Sequence, residues 1–313
     1  MDPVTHAFVG MAASKILQQG IEMTNPYTVA AALSSVFPDI DILFQKWGDY
    51  VYLKNHRGVT HSIVGLIASS TLISLSLYFI FKCSFIKLLL FSLIGSFSHI
   101  AIDMFNSYGA KILWPFVNKK YSVSALTSFD PVVLAFSALA VFTPGAIEWV
   151  CMIFCAAYIA VRLFVRNKIK AHLEKRYESR GHKKVKINVM PSMKGIYFWH
   201  LIIETSKVVV VGNVNFITNK MVFAKRMRKL DDKTVKKALK SPVGRFFKEF
   251  TPVFHIKKEK QQEVTRYVFI DLRYYLRNKF LHHGVLEIDN KRGEVKNILK
   301  PYSQNRAVFI NPQ

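Results

Sequence analysis

Cysteine is scarce in this 313-residue chain: Cys83, Cys151 and Cys155 are the only three, all in or beside apolar segments and without a CxxC pair. They read as small buried residues. The chain has no glycine-rich nucleotide-binding motif and no Gly-x-Ser-x-Gly elbow, so neither a nucleotide enzyme nor a serine hydrolase is indicated. Helix-turn-helix, zinc-finger and RNP signatures are missing as well. The opening Met-Asp-Pro-Val-Thr-His lacks a basic n-region and a small-residue cleavage site, which argues against a removable signal peptide. Acidic residues are few, 20 against 44 Lys plus Arg, for a formal net charge of +24.

What is present is apolar and unevenly charged. Hydrophobic residues make up 51% of the chain, which is high for a soluble protein. Before Arg166 there are 10 basic and 8 acidic residues, a net of +2; from Arg166 onward there are 34 and 12, a net of +22. The division predicts a membrane-embedded domain over residues 1–165 and a basic domain over 166–313. A +22 excess on a tail joined to membrane segments suits an anionic lipid surface, where each basic residue is worth about 1 kcal/mol. Nucleic acid is the competing partner, less favoured because no readout motif accompanies the charge.

Ser62–Phe81 is an uncharged run of 20 residues, long enough at about 1.5 Å per residue to cross a hydrocarbon core of about 30 Å. Phe85–Ile102 is a second span, joined to the first by Lys82-Cys83-Ser84 as an antiparallel hairpin. Pro131–Thr143 and Ala146–Val165 form another hairpin broken at Pro144-Gly145. Pro3–Ser14 and Thr28–Pro38 are apolar but short of a span and read as short, tilted or re-entrant helices. Beyond residue 166, strand-like runs at Lys207–Ile217 and Tyr267–Tyr275 flank a basic helical stretch, Asp231–Phe247, and Lys168–Lys186 reads as a charged helix leading away from the membrane. The expected architecture is mainly α: a polytopic membrane helical domain with a metal site, then a small basic α+β cytoplasmic domain.

The residues that carry chemistry are His6, Asp39, Asp41, His56, His61, His99, Asp103 and Asp130. Ionisable groups bordering membrane segments are costly and mark function. His99 and Asp103, at i and i+4, share one helix face. In the hairpin that follows it, His61 stands at the entrance and His99 and Asp103 at the exit, on the same membrane side. His6 at the entrance and Asp39 and Asp41 at the exit of the first apolar pair behave likewise, and Asp130 opens the third. Val4–Gly10 is echoed by Val59–Gly65 with five identities in seven positions, compatible with two related hairpins. Taken singly, His6 also reads as a cap or interfacial side chain and Asp39 as a turn residue. His172, His182, His200, His255, His282 and His283, in the tail, default to a solvated surface role. Lys46, Lys54, Arg57, Lys111, Lys119 and Lys120 flank the ligand side, against Lys82 and Lys87 opposite, so the site and the tail are expected to face the cytoplasm.

Val4-Thr5-His6, Pro38-Asp39-Ile40-Asp41, His56-Arg57-Gly58-Val59-Thr60-His61-Ser62, Ser98-His99-Ile100-Ala101-Ile102-Asp103 and Asn106-Ser107-Tyr108-Gly109, with Asp130-Pro131, resemble the YdjM-like family of membrane-bound metal-dependent hydrolases over about residues 1–165. A looser likeness around Pro191–Trp199 extends into the tail. That family is distantly similar to zinc-dependent phospholipase C and the zinc nucleases. The resemblance implies His99 and Asp103 as ligands, with Asp39, His61 and His6 as partners. Imidazole and carboxylate donors suit zinc, or manganese where oxygen dominates. On this reading Asp39 or Asp103 bridges two ions and Arg57, which can equally be a surface anchor, contacts the phosphate of a phosphoester such as a phospholipid headgroup. Two rivals stand beside it. One is a non-catalytic scaffold or regulator with a structural metal and a partner-binding tail. The other is a transporter, which would bury its charges at mid-membrane.

Overall fold

The computed structural model describes residues 1–15, 17, 22, 24–143, 145–181, 184–261, 263–289, 291–292, 295–302 and 306–310. Pro144 of the expected Pro-Gly break and His182 lie outside these residues. The chain forms two compact units, one of Met1–Phe44 with Asn55–Phe164, the other of Val165–Gln313 with Gln45–Lys54.

In the first unit, each helix start carries its own local signal. Helix α1 (Pro3–Ser14) has Asp2 as N-cap, accepting from the Thr5 amide at 2.9 Å, and Pro3 in the first turn. Helix α2 (Pro26–Val36) repeats the arrangement with Asn25 and Pro26. It runs on into a 3-10 segment, Phe37–Trp47, followed by α3 (Asp49–Asn55) and a 3-10 turn at Val59–His61. Helix α4 (Ile63–Phe81) is capped by Ser62 and α5 (Phe85–Met104) by Ser84, with Lys82 in the left-handed region (φ 50°) closing the turn between them. Helix α6 spans Pro131–Phe142, and α7 is one continuous helix, Ala146–Glu178. Capping oxygens and first-turn prolines answer the orphan amides that every helix start exposes.

Among the described residues, four helical stretches are long and apolar enough to cross a membrane: Pro26–Trp47, Ile63–Phe81, Phe85–Met104 and Ala146–Glu178. The first corrects the short-helix expectation for Thr28–Pro38, because the 3-10 segment lengthens α2 to 22 residues. Helices α2 and α5 meet through small residues, Ala30 and Ala31 facing Gly95, with Leu88 and Phe91 completing the core. Serines tie α4 to α5 inside this apolar interface: Ser70 to Ser96 at 2.8 Å and Ser74 to Ser92 at 3.0 Å.

The second unit is α/β. Strands β1 (Lys186–Pro191), β2 (Phe198–Glu204), β3 (Val208–Asn215) and β4 (Met221–Arg228) form an antiparallel sheet in that order. After α8 (Asp232–Leu239) and α9 (Pro242–Phe250) come β5 (Phe254–Gln261), β6 (Val264–Asp271), the short pair β7 (Tyr275–Leu276) and β8 (Lys279–Phe280), β9 (His283–Asp289), β10 (Val295–Lys300) and β11 (Val308–Phe309). The second sheet runs β11-β10-β9-β6-β5. The first sheet is covered on both faces. Leu173, Ile187, Trp199, Leu201 and Ile203 pack on one side with the end of α7; Ile202, Val209 and Val211 meet Leu272 and Ile270 on the other.

Three expectations need correction. The charged helix expected over Lys168–Lys186 is the end of α7, which stops at Glu178, and Lys186 opens β1. The helical stretch Asp231–Phe247 is two helices, broken where Ser241 caps α9. His200, His255, His282 and His283 are buried rather than solvated, His200 because β2 lies between two cores; His172 alone of the described tail histidines is exposed.

Candidate metal centre

Three stretches of chain deliver the donors. Asp39 stands in the 3-10 segment after α2, His61 in the turn that enters α4, and His99 and Asp103 one turn apart at the end of α5. Gly58 and Gly65 make the second approach possible, since a Cβ on Gly65 would lie 2.1 Å from the Val59 carbonyl oxygen. One donor atom from each of Asp39, His61, His99 and Asp103 lies within 4.8 Å of the other three. His61 Nε2 is 3.1 Å from His99 Nε2, 3.5 Å from Asp39 Oδ1 and 3.4 Å from Asp103 Oδ2. His99 Nε2 is 3.7 Å from Asp39 Oδ1 and 3.5 Å from Asp103 Oδ2.

These separations have a definite meaning. Four donors arranged tetrahedrally about 2.0–2.1 Å from an ion are separated along every edge by about 3.3–3.4 Å. The five distances scatter around that edge. The protonation pattern agrees: His99 Nδ1 donates to the Ser35 carbonyl at 2.6 Å, so its Nε2 presents a lone pair to the cluster. Asp103 Oδ2, fully buried, has no hydrogen-bond donor. Two converging imidazole nitrogens and a bare carboxylate oxygen, all out of water, make a donor set that could hold a divalent cation.

The neighbours of this quartet include most of the remaining sequence candidates. His6 stacks on His99 with centroids 3.7 Å apart, and its Nε2 is 3.4 Å from Asp103 Oδ1. The Met1 amine also reaches that oxygen, at 2.5 Å. Arg57 Nη2 pairs with it at 2.9 Å. Arg57 is buried, held at φ +56°, with its guanidinium over the Tyr108 ring, while its Nε and Nη1 have no hydrogen-bond partner. Asp41 and His56 form an outer pair: Asp41 accepts from the Arg57 amide at 2.7 Å and from His56 Nδ1 at 3.2 Å. His61 Nδ1 is hydrogen-bonded to the Thr60 hydroxyl at 3.0 Å, and Asp41 Oδ2, 3.8 Å from the same nitrogen, stays outside the quartet. Burial, against the pull of Asp41, lowers the His56 imidazole to about 4. Burial also opposes a charge on His61, but Asp103 and Asp39 outweigh it and raise its pKa. Asp130 stands apart: it caps α6 through the Val132 and Val133 amides and accepts from the Tyr158 hydroxyl at 3.0 Å. The Ser35 carbonyl and Tyr108 were not among the sequence candidates; Tyr108 lies in the Asn106–Gly109 motif, whereas a carbonyl acceptor leaves no trace in residue identity.

The chain is 26% identical to the uncharacterized protein YfhP of Bacillus subtilis (strain 168) over 92% of its own length and 91% of that relative's. Residues 233–305 match the YfhP C-terminal alpha/beta plait domain. No solved structure matches the chain. Residues 1–169, more than half of the sequence and all of the helices that carry the quartet, match the YdjM inner membrane protein family, and with its apolar spans the chain is a multi-pass membrane protein that belongs to that family.

Proposed function

We propose that the protein is a membrane-bound, divalent-metal-dependent hydrolase of phosphoesters, such as lipid headgroups, whose site and C-terminal domain face the cytoplasm. The observation that supports it most is the pairing of a converging His₂Asp₂ donor set with a buried arginine that, among the described residues, keeps two donors free beside it. Zinc is the ion of choice for two imidazoles and two carboxylates, with manganese the alternative. When bound, such an ion supplies Lewis-acid polarisation and lowers the pKa of water.

The chain's own residues do the rest. Arg57 Nε and Nη1 take a phosphoryl oxygen, and their planar fork fixes its orientation. The Asp103 carboxylate holds Arg57 through Oδ1 while its Oδ2 faces the imidazoles, so it links the anion contact to the ligand set. The Ser35 carbonyl and the Thr60 hydroxyl fix the rings of His99 and His61 from behind.

A structural metal in a non-catalytic membrane scaffold is the second reading, favoured by the presence of four protein donors, the number that fills the shell of a structural zinc site. Elemental analysis and phosphodiester hydrolysis by the full chain in detergent separate the readings. Near-stoichiometric metal is expected, with hydrolysis lost to chelator and restored by zinc or manganese. His99→Ala and Asp103→Ala should insert normally yet lose the metal, and Arg57→Ala should keep the metal and lose hydrolysis. Full metal in both ligand variants would eliminate the shared site; metal without hydrolysis of any phosphoester would favour the scaffold.

A further inference from the structure

Among the described residues, the second unit exposes a group of apolar side chains that its fold leaves uncovered. Two turns stand together at one end of the first sheet, Ser192–Tyr197 between β1 and β2 and Phe216–Lys220 between β3 and β4. The Phe216 amide donates to the Tyr197 carbonyl at 3.1 Å, and their rings lie 6.1 Å apart. On this end Met193 is 52% exposed, Tyr197 49%, Ile217 60%, Val222 54% and Phe223 53%. Apolar groups of this size on a small domain, gathered at adjacent turns, mark an interaction surface.

The setting of these turns specifies what they meet. They are rigid: the Asn215 side chain accepts from the Ile217 and Thr218 amides at 2.9 and 3.2 Å, and the Asn215 amide donates to the Lys220 carbonyl at 3.0 Å. They are ringed by cations, with exposed Lys194 and Lys220 in the turns themselves and Lys225, Arg226 and Arg228 following along the open edge strand β4. Nothing acidic lies in either turn or in β4. Arg166, the first residue after the apolar stretch of α7, donates to the Val189 carbonyl at 3.3 Å, two residues before β1 ends and the first turn begins.

From this we propose that the turns Ser192–Tyr197 and Phe216–Lys220 form a docking tip that inserts Met193, Tyr197 and Ile217 into the headgroup region of an anionic bilayer, with Lys194 and Lys220 of the turns and Arg226 and Arg228 of β4 on lipid phosphates. An apolar tip with basic flanks is the side-chain distribution of an interfacial membrane contact, and a tyrosine suits that boundary because its ring is apolar and its hydroxyl polar. A nucleic-acid face would instead carry its cations on a surface free of large aliphatic groups. The inference is independent of the metal chemistry.

The test is hydrogen exchange of the full chain in nanodiscs holding one copy each, made of phosphatidylcholine alone or with phosphatidylglycerol. Amides of the two turns and of Met221–Phe223 should exchange at least tenfold more slowly in the anionic discs, while the interior strands β2 and β3 exchange equally in both. Each basic contact is worth about fivefold in the docking equilibrium, so Lys194→Glu combined with Lys220→Glu should abolish the difference. Ile217→Asp should do the same, and unchanged β2 and β3 exchange would show that both variants are folded. Equal turn exchange in the two lipids overturns the proposal, as does protection conferred by duplex DNA on the phosphatidylcholine discs without a response to phosphatidylglycerol.

Discussion

Replacing Gly95 with alanine should empty the metal centre without touching a ligand. A Cβ at this position would stand 2.1 Å from the Ala31 carbonyl oxygen and 2.9 Å from its carbon. An ordinary carbon–oxygen approach is about 3.3 Å, so α5 and α2 must separate by about 1.2 Å. Neither wall can give way by a rotamer change, since the obstacle is backbone and Ala31 is itself fully buried. Helix α2 continues into the segment that carries Asp39, while His99 lies one turn beyond Gly95 on α5, so the separation falls across the ligand set. Metal–donor distances tolerate about 0.2 Å. The same displacement strains the 2.6 Å bond from His99 Nδ1 to Ser35, a contact of the kind whose loss alone costs about 10–100-fold in metal affinity. Gly95→Ala should therefore bind metal at least 100-fold more weakly and lose about 1–3 kcal/mol of stability through overpacking. Chelator competition and thermal unfolding in detergent read the two effects, with Phe97→Ala, 47% exposed on the same helix, as the control that changes neither. A Gly95→Ala protein with native metal affinity and stability would refute the geometry of the α2–α5 contact.

Further outcomes follow from other parts of the molecule. Lys15 and Glu148 form a buried ion pair, with Lys15 Nζ also donating to the Ala140 carbonyl at 2.6 Å. Lys15→Met leaves a buried carboxylate unpaired and should cost about 3–5 kcal/mol, while adding Glu148→Leu should recover most of it in thermal unfolding. In the second unit, burial lowers His255 to about 4 and also lowers His200 and His283. Between the unfolded value near 6.5 and the lowered folded values the unfolded chain binds more protons, so stability falls as pH drops through this window. The expected slope is on the order of 1 kcal/mol per pH unit for each histidine, read from exchange protection factors corrected for intrinsic pH dependence. Strands that keep their pH 7 protection unchanged at pH 4.5 would contradict the neutral burial. A reporter fused after residue 313 should be active only on the cytoplasmic side; activity on the opposite side would reverse the expected orientation.

Much of the helical unit was legible because its signals are local. Apolar length announced α4 and α5, and the short turn Lys82-Cys83-Ser84 placed His61 beside His99 and Asp103. The extension of α2 was hidden because Pro38 and two aspartates look like a helix end, yet the backbone tightens to a 3-10 helix and continues. Asp130 illustrates the opposite error: Asp-Pro before an apolar run is the sequence of a first-rate N-cap, and a cap and a ligand are indistinguishable until the atoms around them are known. The strands were harder to see. Around His200, the sequence Trp-His-Leu-Ile-Ile has no polar face to reveal a period of two, since both faces of β2 meet a core. Its histidine survives there by bonding Nε2 to the Leu272 carbonyl at 2.8 Å, a partner 72 residues away.

The order of the four donors along the chain has a bearing on biogenesis. Asp39 leaves the ribosome first and Asp103 last, with a complete hairpin between His61 and His99. No two of the three contributing stretches offer more than three donors, so a nascent chain halted before α5 has no chelating power beyond that of scattered side chains. Tight ion capture must wait until the second arm of the hairpin has entered the bilayer and closed on α2. If the quartet takes up an ion as proposed, metallation would act as a ratchet on insertion: it would reward only the finished helix arrangement, and an intermediate with α5 still outside would gain nothing from the cell's metal pool.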